Sequence, residues 1–123
     1  MTIAQAIAAA SKLRESDIPE DMMVGWLSKL DGQIYVDVIQ QHIGGTTIPM
    51  PDYGPGTDVE TELLVPHPWD ELYVYFLAMR IDMAQGEMEL ANADNIVYME
   101  LYQQWVNSYT RTHRQRSMPA LMF

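Results

Sequence analysis

The 123-residue sequence contains no cysteine, which excludes disulfide bonds and thiolate metal sites. It has no apolar run near the roughly 20 residues that a membrane-spanning helix requires. The N-terminal stretch MTIAQAIAAASKLR has no basic region ahead of an apolar one, so it is not typical of a signal peptide. We therefore expect a soluble protein, made in a cytoplasm, that does not associate with a membrane.

Basic residues are also scarce. The sequence has 7 Lys and Arg and 17 Asp and Glu, so its net charge is -10. Residues 1–110 hold all 17 acidic residues and four of the basic ones, for a net charge of -13, whereas residues 111–123 hold three arginines and no acid. Phosphate contacts need Lys and Arg, so this acidic body argues against tight nucleic-acid binding. The short basic end suits an acidic partner.

Motifs that would mark an enzyme are missing. No Walker loop and no dinucleotide-binding GxGxxG occurs. His42 and His113 each stand without a Ser or Asp in a recognisable nucleophile motif, so a catalytic triad is unsupported. We predict no catalytic and no cofactor-binding residue, and we expect a protein that is not an enzyme.

Two groups of residues invite a metal-site interpretation. The first is His67, Asp70 and Glu71, which lacks an HExxH spacing; acids at this point are better explained as the start of a helix, where the dipole favours negative charge. The second group lies in a loop, and its spacing is not that of a calcium-binding EF-hand, so a solvated acidic loop is the better interpretation. Its members are Asp52, Asp58, Glu60 and Glu62. We predict no metal site.

Apolar residues recur at three- and four-residue spacing and predict four helices. They cover about residues 2–14, 18–43, 68–85 and 87–111. The predicted fold class is all-α, with one helical domain over residues 1–112 and an extended tail over residues 113–123.

Local signals fix several helix ends. Thr2 can cap the first helix, and Asp17 with Glu20 three positions later suggests a capping box for the second. Pro68 forbids helix just before the third, and Gly86 can end it.

The third helix is the most apolar, so we expect the other helices to pack around it. The predicted core consists of large residues on the inner faces: Trp26, Leu30, Trp69, Leu72, Phe76, Leu77 and Trp105. The inner face of the fourth helix also includes Asp94.

Ten methionines are many for a chain of this length. Most fit the core at helical spacing, and the alternative is that some cover an oligomer interface, because methionine is adaptable and common on such surfaces. The candidates for the interface are Met79, Met83, Met88 and Met99.

The segment over residues 44–65 is rich in glycine and proline and predicts a long loop between helices two and three. Residues 46–48 and 62–65 are candidates for short strands. We expect few apolar anchors in residues 44–62. Loops of this length in a small domain usually carry function or are ordered by a partner.

Two segments resemble the head–tail connector, or adaptor, proteins of long-tailed phages and prophages. They are WLSKLDGQIYVDVI (26–39) and TELLVPHPWDELYVYFLAMRIDMAQGE (61–87). The specific part is TELL-x-P-x-P-x-D-E-L-Y followed by a helix that ends near QGE, and the later YTRTH (109–113) fits the same pattern. The resemblance covers most of residues 20–113.

The resemblance implies an all-helical structural protein of the virion neck, assembled in the host cytoplasm. It implies a ring of about twelve subunits beneath the portal protein, closed by heterologous contacts. Such a ring extends the channel to the tail or a stopper protein, and DNA passes through it without specific binding. It supplies no catalytic residues. The alternative is a small non-enzymatic helical binding module, acting as a regulator or assembly chaperone.

The end of the chain combines charge with apolar side chains. We predict that residues 113–123 form a tail that docks on the portal protein or another partner; a tail without fixed structure is the alternative. The predicted contact residues are Arg111, Arg114, Arg116, Leu121, Met122 and Phe123.

Overall fold

The computed structural model describes residues 1–42 and 47–113. These residues contain four helices and no strand, so the predicted all-α class is confirmed. The helices are α1 (Ile3–Leu13), α2 (Glu20–Ile34), α3 (Leu72–Ala84) and α4 (Met88–Thr112). None of them combines the length and the apolar character needed to cross a membrane.

Helix α1 begins as the sequence predicts. The Thr2 side chain accepts a hydrogen bond from the Gln5 amide, and the Gln5 side chain accepts one from the Thr2 amide. This reciprocal pair satisfies two amides that the helix itself leaves free. Ile3, Ala6, Ile7 and Ala10 are buried at three- and four-residue spacing, so a single face of α1 contacts the core.

Helix α2 is shorter than the predicted 18–43 and begins differently. Pro19 occupies the N-cap position and makes no side-chain cap, so the predicted capping box of Asp17 and Glu20 is wrong. The prolyl ring fixes an extended backbone there, and Glu20 falls in the first turn, where the helix dipole favours its charge. After Ile34 the chain continues as a π-helical segment, Tyr35–Ile39.

Helices α3 and α4 form a hairpin. Helix α3 starts at Leu72 rather than 68, because residues 67–71 form hydrogen-bonded turns after the prolines, such as Trp69 N–H to the Pro66 carbonyl at 3.1 Å. Asp70 and Glu71 therefore precede the first turn. Gly86, in the turn between α3 and α4, has a φ of 77°, a backbone conformation that favours glycine.

The long loop is tied to the rest of the protein, and no strand forms in its described part. It runs beside the start of α1, where Ile3 N–H donates to the Thr61 carbonyl and Leu63 N–H to the Met1 carbonyl, at 3.1 and 3.0 Å. Glu62 makes only an isolated bridge with Thr2. Within residues 47–62 the one buried apolar side chain is that of Tyr53, and the next buried positions are Leu63 and Val65.

The core lies where α1, α2, α3 and the distal half of α4 meet. Of the predicted core residues, four are buried: Leu30, Leu72, Leu77 and Trp105. Three are half-buried and pack against its edge: Trp26, Trp69 and Phe76. Interior positions expected for these large rings are filled instead from the loop, by Tyr53, Leu63 and Val65.

We predict that Leu77→Ala lowers the free energy of unfolding by about 2–5 kcal/mol, because Leu77 is fully buried and truncation leaves a cavity. Urea unfolding monitored by circular dichroism measures the change. The control is Met83→Ala on the same helix, where the side chain is 49% exposed and the change should stay within about 0.5 kcal/mol. Equal losses in the two variants would contradict the placement of the core.

Candidate functional site

A carboxylate lies at the centre of the protein without any exposed surface. Asp31, near the end of α2, accepts hydrogen bonds from the hydroxyls of Tyr53 and Tyr73, both at 2.6 Å. It also accepts one from the Leu64 amide at 3.1 Å. The Tyr73 hydroxyl in turn accepts from the Val65 amide at 2.8 Å. We call these five residues the Asp31 network; it joins α2, α3 and two points of the loop.

The electrostatics of this network follow from burial. Loss of hydration raises the pKa of the Asp31 carboxyl, while the two tyrosine hydroxyls and the Leu64 amide limit the rise. Burial and the neighbouring carboxylate also raise the pKa values of Tyr53 and Tyr73, so both keep the protons that they donate. The arrangement holds the loop in place and presents no reactive group to solvent.

A second buried group of charges lies where α1, α3 and α4 meet. The Arg14 guanidinium donates from Nε to Asp82 at 2.9 Å and from one terminal nitrogen to both oxygens of Asp94, at 3.1 and 3.0 Å. Asp82 is fully buried and Asp94 nearly so. We call these three residues the Arg14 cluster.

The residues considered for a metal site are not gathered around a common point. Asp70 lies 3.3 Å from the Met1 amino group, whereas His67 and Glu71 are exposed. Of the loop acids, Asp52 accepts from Ser28, Asp58 from the Glu60 amide, and Glu62 lies beside Met1. Within residues 1–42 and 47–113, no three His, Asp or Glu side chains are placed to share a metal ion.

The two histidines considered for catalysis belong to a row of aromatic rings along α4. His42 is buried, and its Nδ1–H donates to the Val38 carbonyl at 2.6 Å. Its ring meets the edge of Tyr109, which stacks on His113 with centroids 3.8 Å apart. The rest of the row is Phe76, Tyr98, Tyr102 and Trp105, with successive centroids 5.4 to 6.2 Å apart. These contacts attach the distal half of α4 to the core.

Exposed apolar side chains concentrate on the proximal half of α4 and the adjoining turn. Ile96 is 67% exposed, and Met88 and Met99 are each about half exposed. Ile96 and Met99 are three residues apart and so are neighbours on the helix surface, and Met88 lies on the first turn of the same helix. We call Met88, Ile96 and Met99 the α4 strip. Of the other candidate interface methionines, Met83 is exposed and Met79 is half-buried.

The predicted docking residues fall mostly beyond the described part of the chain. Arg111 is exposed in the last turn of α4. Arg114, Arg116, Leu121, Met122 and Phe123 lie outside the described residues, so the docking of the tail stays a prediction.

Comparison with known proteins adds no relative. Neither protein-family models, nor curated proteins, nor solved structures match this chain.

Sequence reasoning missed both polar groups in the interior. The available signal was an acid at helical spacing from apolar residues: Asp31 lies four residues after Leu27, and Asp82 lies four residues after Ala78. Asp94 was placed on the inner face of its helix, but Arg14, its partner, is 80 residues away in the chain. Helical periodicity identifies the face and not the partner.

We predict that Tyr73→Phe lowers the free energy of unfolding by about 1.5–3 kcal/mol, because it removes a donor to buried Asp31 and leaves the Val65 amide without its acceptor. Chemical unfolding at pH 7 measures the loss. Tyr75→Phe is the matched control, since Tyr75 is a half-buried residue of the same helix. If the two variants are equally stable, the hydrogen bonds of Tyr73 contribute nothing and the interpretation of the Asp31 network is wrong.

Proposed function

We propose that the protein is a structural, non-enzymatic head–tail connector that forms a ring beneath a phage portal protein and extends the DNA channel to the tail or a stopper protein. The observation that carries the proposal is the α4 strip, an apolar surface on an otherwise acidic protein. The resemblance of residues 26–39 and 61–87 to connector proteins gives the kind of assembly.

The α4 strip has the character of a protein interface. Contiguous exposed apolar side chains on a soluble protein commonly mark sites of protein–protein contact, and methionine is enriched there. The strip lies on a helix whose opposite side packs on α3, so the helix is held rigidly while the apolar side chains face outward. A subunit that buries this strip against a different face of the next copy makes a heterologous contact, which closes into a ring when the rotation permits.

The charge of the protein suits a channel for DNA. A net charge of -10 repels phosphate, so a ring of such subunits lets a genome slide past without being held. The three arginines at the end of the chain have the opposite charge and adjoin the apolar residues Leu121, Met122 and Phe123. We assign this tail to the contact with the portal protein, where both charge pairing and apolar burial contribute.

We predict that the purified protein, mixed with the portal protein of the same phage or prophage, forms a ring on it that electron microscopy detects. Ile96→Glu should abolish the ring, because it places a charge in the apolar contact, while leaving the helical circular dichroism unchanged. Gln104→Glu is the control, since it adds the same charge at an exposed position of the same helix, five residues from Met99 and so on a different side of the helix.

Two outcomes would overturn the proposal. One is a protein that stays a monomer or dimer in the presence of portal protein, which would favour the regulator or chaperone alternative. The other is a ring that forms equally well with Ile96→Glu, which would remove the α4 strip from the interface.

We predict that deletion of residues 114–123 leaves the melting temperature nearly unchanged but weakens attachment to the portal protein. Exposed ion pairs contribute only about 0–1 kcal/mol each to folding, whereas burial of each large apolar side chain at a partner contributes roughly 1.5–3 kcal/mol. Pull-down with portal protein measures attachment. A full-length chain with Arg114→Gln and Arg116→Gln loses two positive charges but keeps the apolar end, so its attachment shows how much the charges contribute. Full affinity after the deletion, or failure to fold, would contradict the role of the tail.

A further inference from the structure

The Arg14 cluster places two carboxylates against one cation in the interior. Arg14 comes from the end of α1, Asp82 from α3 and Asp94 from α4, so each of the three helices contributes one charged group. One guanidinium balances only one carboxylate, and the cluster with both acids ionised carries a net charge of -1. Isolated charge is costly in a buried site, and two close carboxylates favour the uptake of one proton between them.

The geometry shows where that proton would bind. Asp82 uses Oδ1 for Arg14, and its Oδ2 is buried without a hydrogen-bond partner. The Asp94 carboxylate contacts the same guanidinium as Asp82, so the two acids lie side by side. A protonated Asp94 therefore donates to Asp82 Oδ2 and completes the hydrogen bonding of the cluster, while Arg14 keeps its contacts with both acids.

We propose that the Arg14 cluster is a pH-dependent contact, here called the latch. A proton shared between Asp94 and Asp82 stabilises the attachment of the proximal half of α4 to α1 and α3, and loss of this proton weakens that attachment. Within the described part of the chain, Ala91 and Asp94 are the two buried residues of α4 before Trp105, and Asp94 is the one of them that carries a charge; the rest of this half packs on α3, as Tyr98 does on Phe76 with ring centroids 5.5 Å apart. The latch concerns the fold of the subunit and does not depend on the proposed assembly.

The direction of the pH effect follows from the charges. Burial is the largest cause that raises the pKa of Asp94 to about 6, and the neighbouring Asp82 adds to it while Arg14 opposes it. The unfolded chain has the ordinary value of 3.8. Because the folded value is the higher one, the folded protein binds more protons between these values. The stabilisation is complete below pH 3.8 and is lost as the pH rises through 6.

Asp94→Asn tests the latch, because the amide imitates the protonated acid: it donates to Asp82 Oδ2 and cannot lose the proton. We expect the unfolding equilibrium constant of the wild type, divided by that of Asp94→Asn, to increase roughly tenfold from pH 5.0 to pH 7.5. Urea unfolding at both pH values gives the ratio. Glu100→Gln, an exposed acid on the same helix, is the matched control and should give a ratio that does not change with pH.

A second measurement needs no variant. Carbon-13 NMR of the Asp94 carboxyl in the wild-type protein should give a titration midpoint near 6, and hydrogen exchange of the amides in residues 91–98, corrected for intrinsic rates, should be faster at pH 7.5 than at pH 5.0. A midpoint near 4, an Asp94→Asn ratio that is independent of pH, or exchange equally slow at both pH values would overturn the proposal.

Discussion

Satisfying one buried carboxylate constrains how α2, α3 and the loop are arranged. Asp31 has no exposed surface and no cationic partner in its network, so its charge depends on donors that the fold must bring to it. One donor comes from α3 and two from the loop, through Tyr73, Tyr53 and the Leu64 amide. A loop that drifted away would leave the carboxylate buried and short of hydrogen bonds, at a cost of about 1–3 kcal/mol for each one lost. The loop is therefore part of the core.

This constraint shows how the described part of the loop is held against the helices although its composition offers few apolar anchors. Glycine and proline occupy seven of the positions from 44 to 56 and interrupt regular secondary structure there, and few apolar anchors were expected in residues 44–62. In the described part of the longer segment 44–65, the buried apolar side chains are those of Tyr53, Leu63 and Val65, which are too few and too irregularly spaced to form a pattern. By filling interior space, they leave Trp26, Trp69 and Phe76 at the edge of the core, where Arg80 lies 5.0 Å from the Trp26 ring centre.

What could be predicted from the sequence is local in origin. The cap at Thr2, the turn at Gly86 and the existence of four helices depend on residues within a few positions of one another. The features that were missed join residues far apart in the chain: Asp31 reaches residues 53, 64 and 73, and Arg14 reaches Asp82 and Asp94. Helical spacing can mark an acid as facing inward. It carries no information on which distant group neutralises or hydrogen-bonds that acid.

The two halves of α4 are held by different kinds of contact, and this difference bears on the proposed interface. The distal half is fixed by the aromatic row around Trp105 and Tyr109, contacts that do not depend on charge. The proximal half, which displays the α4 strip, packs on α3 and in addition carries Asp94, which joins it to Arg14 at the end of α1. A surface used for assembly must keep its side chains in one position, because ordering them on contact costs binding free energy. Arg14 therefore does more than balance one of the two acids: its bonds to Asp94 help to hold the helix that presents Ile96 and Met99, so the proposed change in protonation of the cluster would act on the helix that carries that surface.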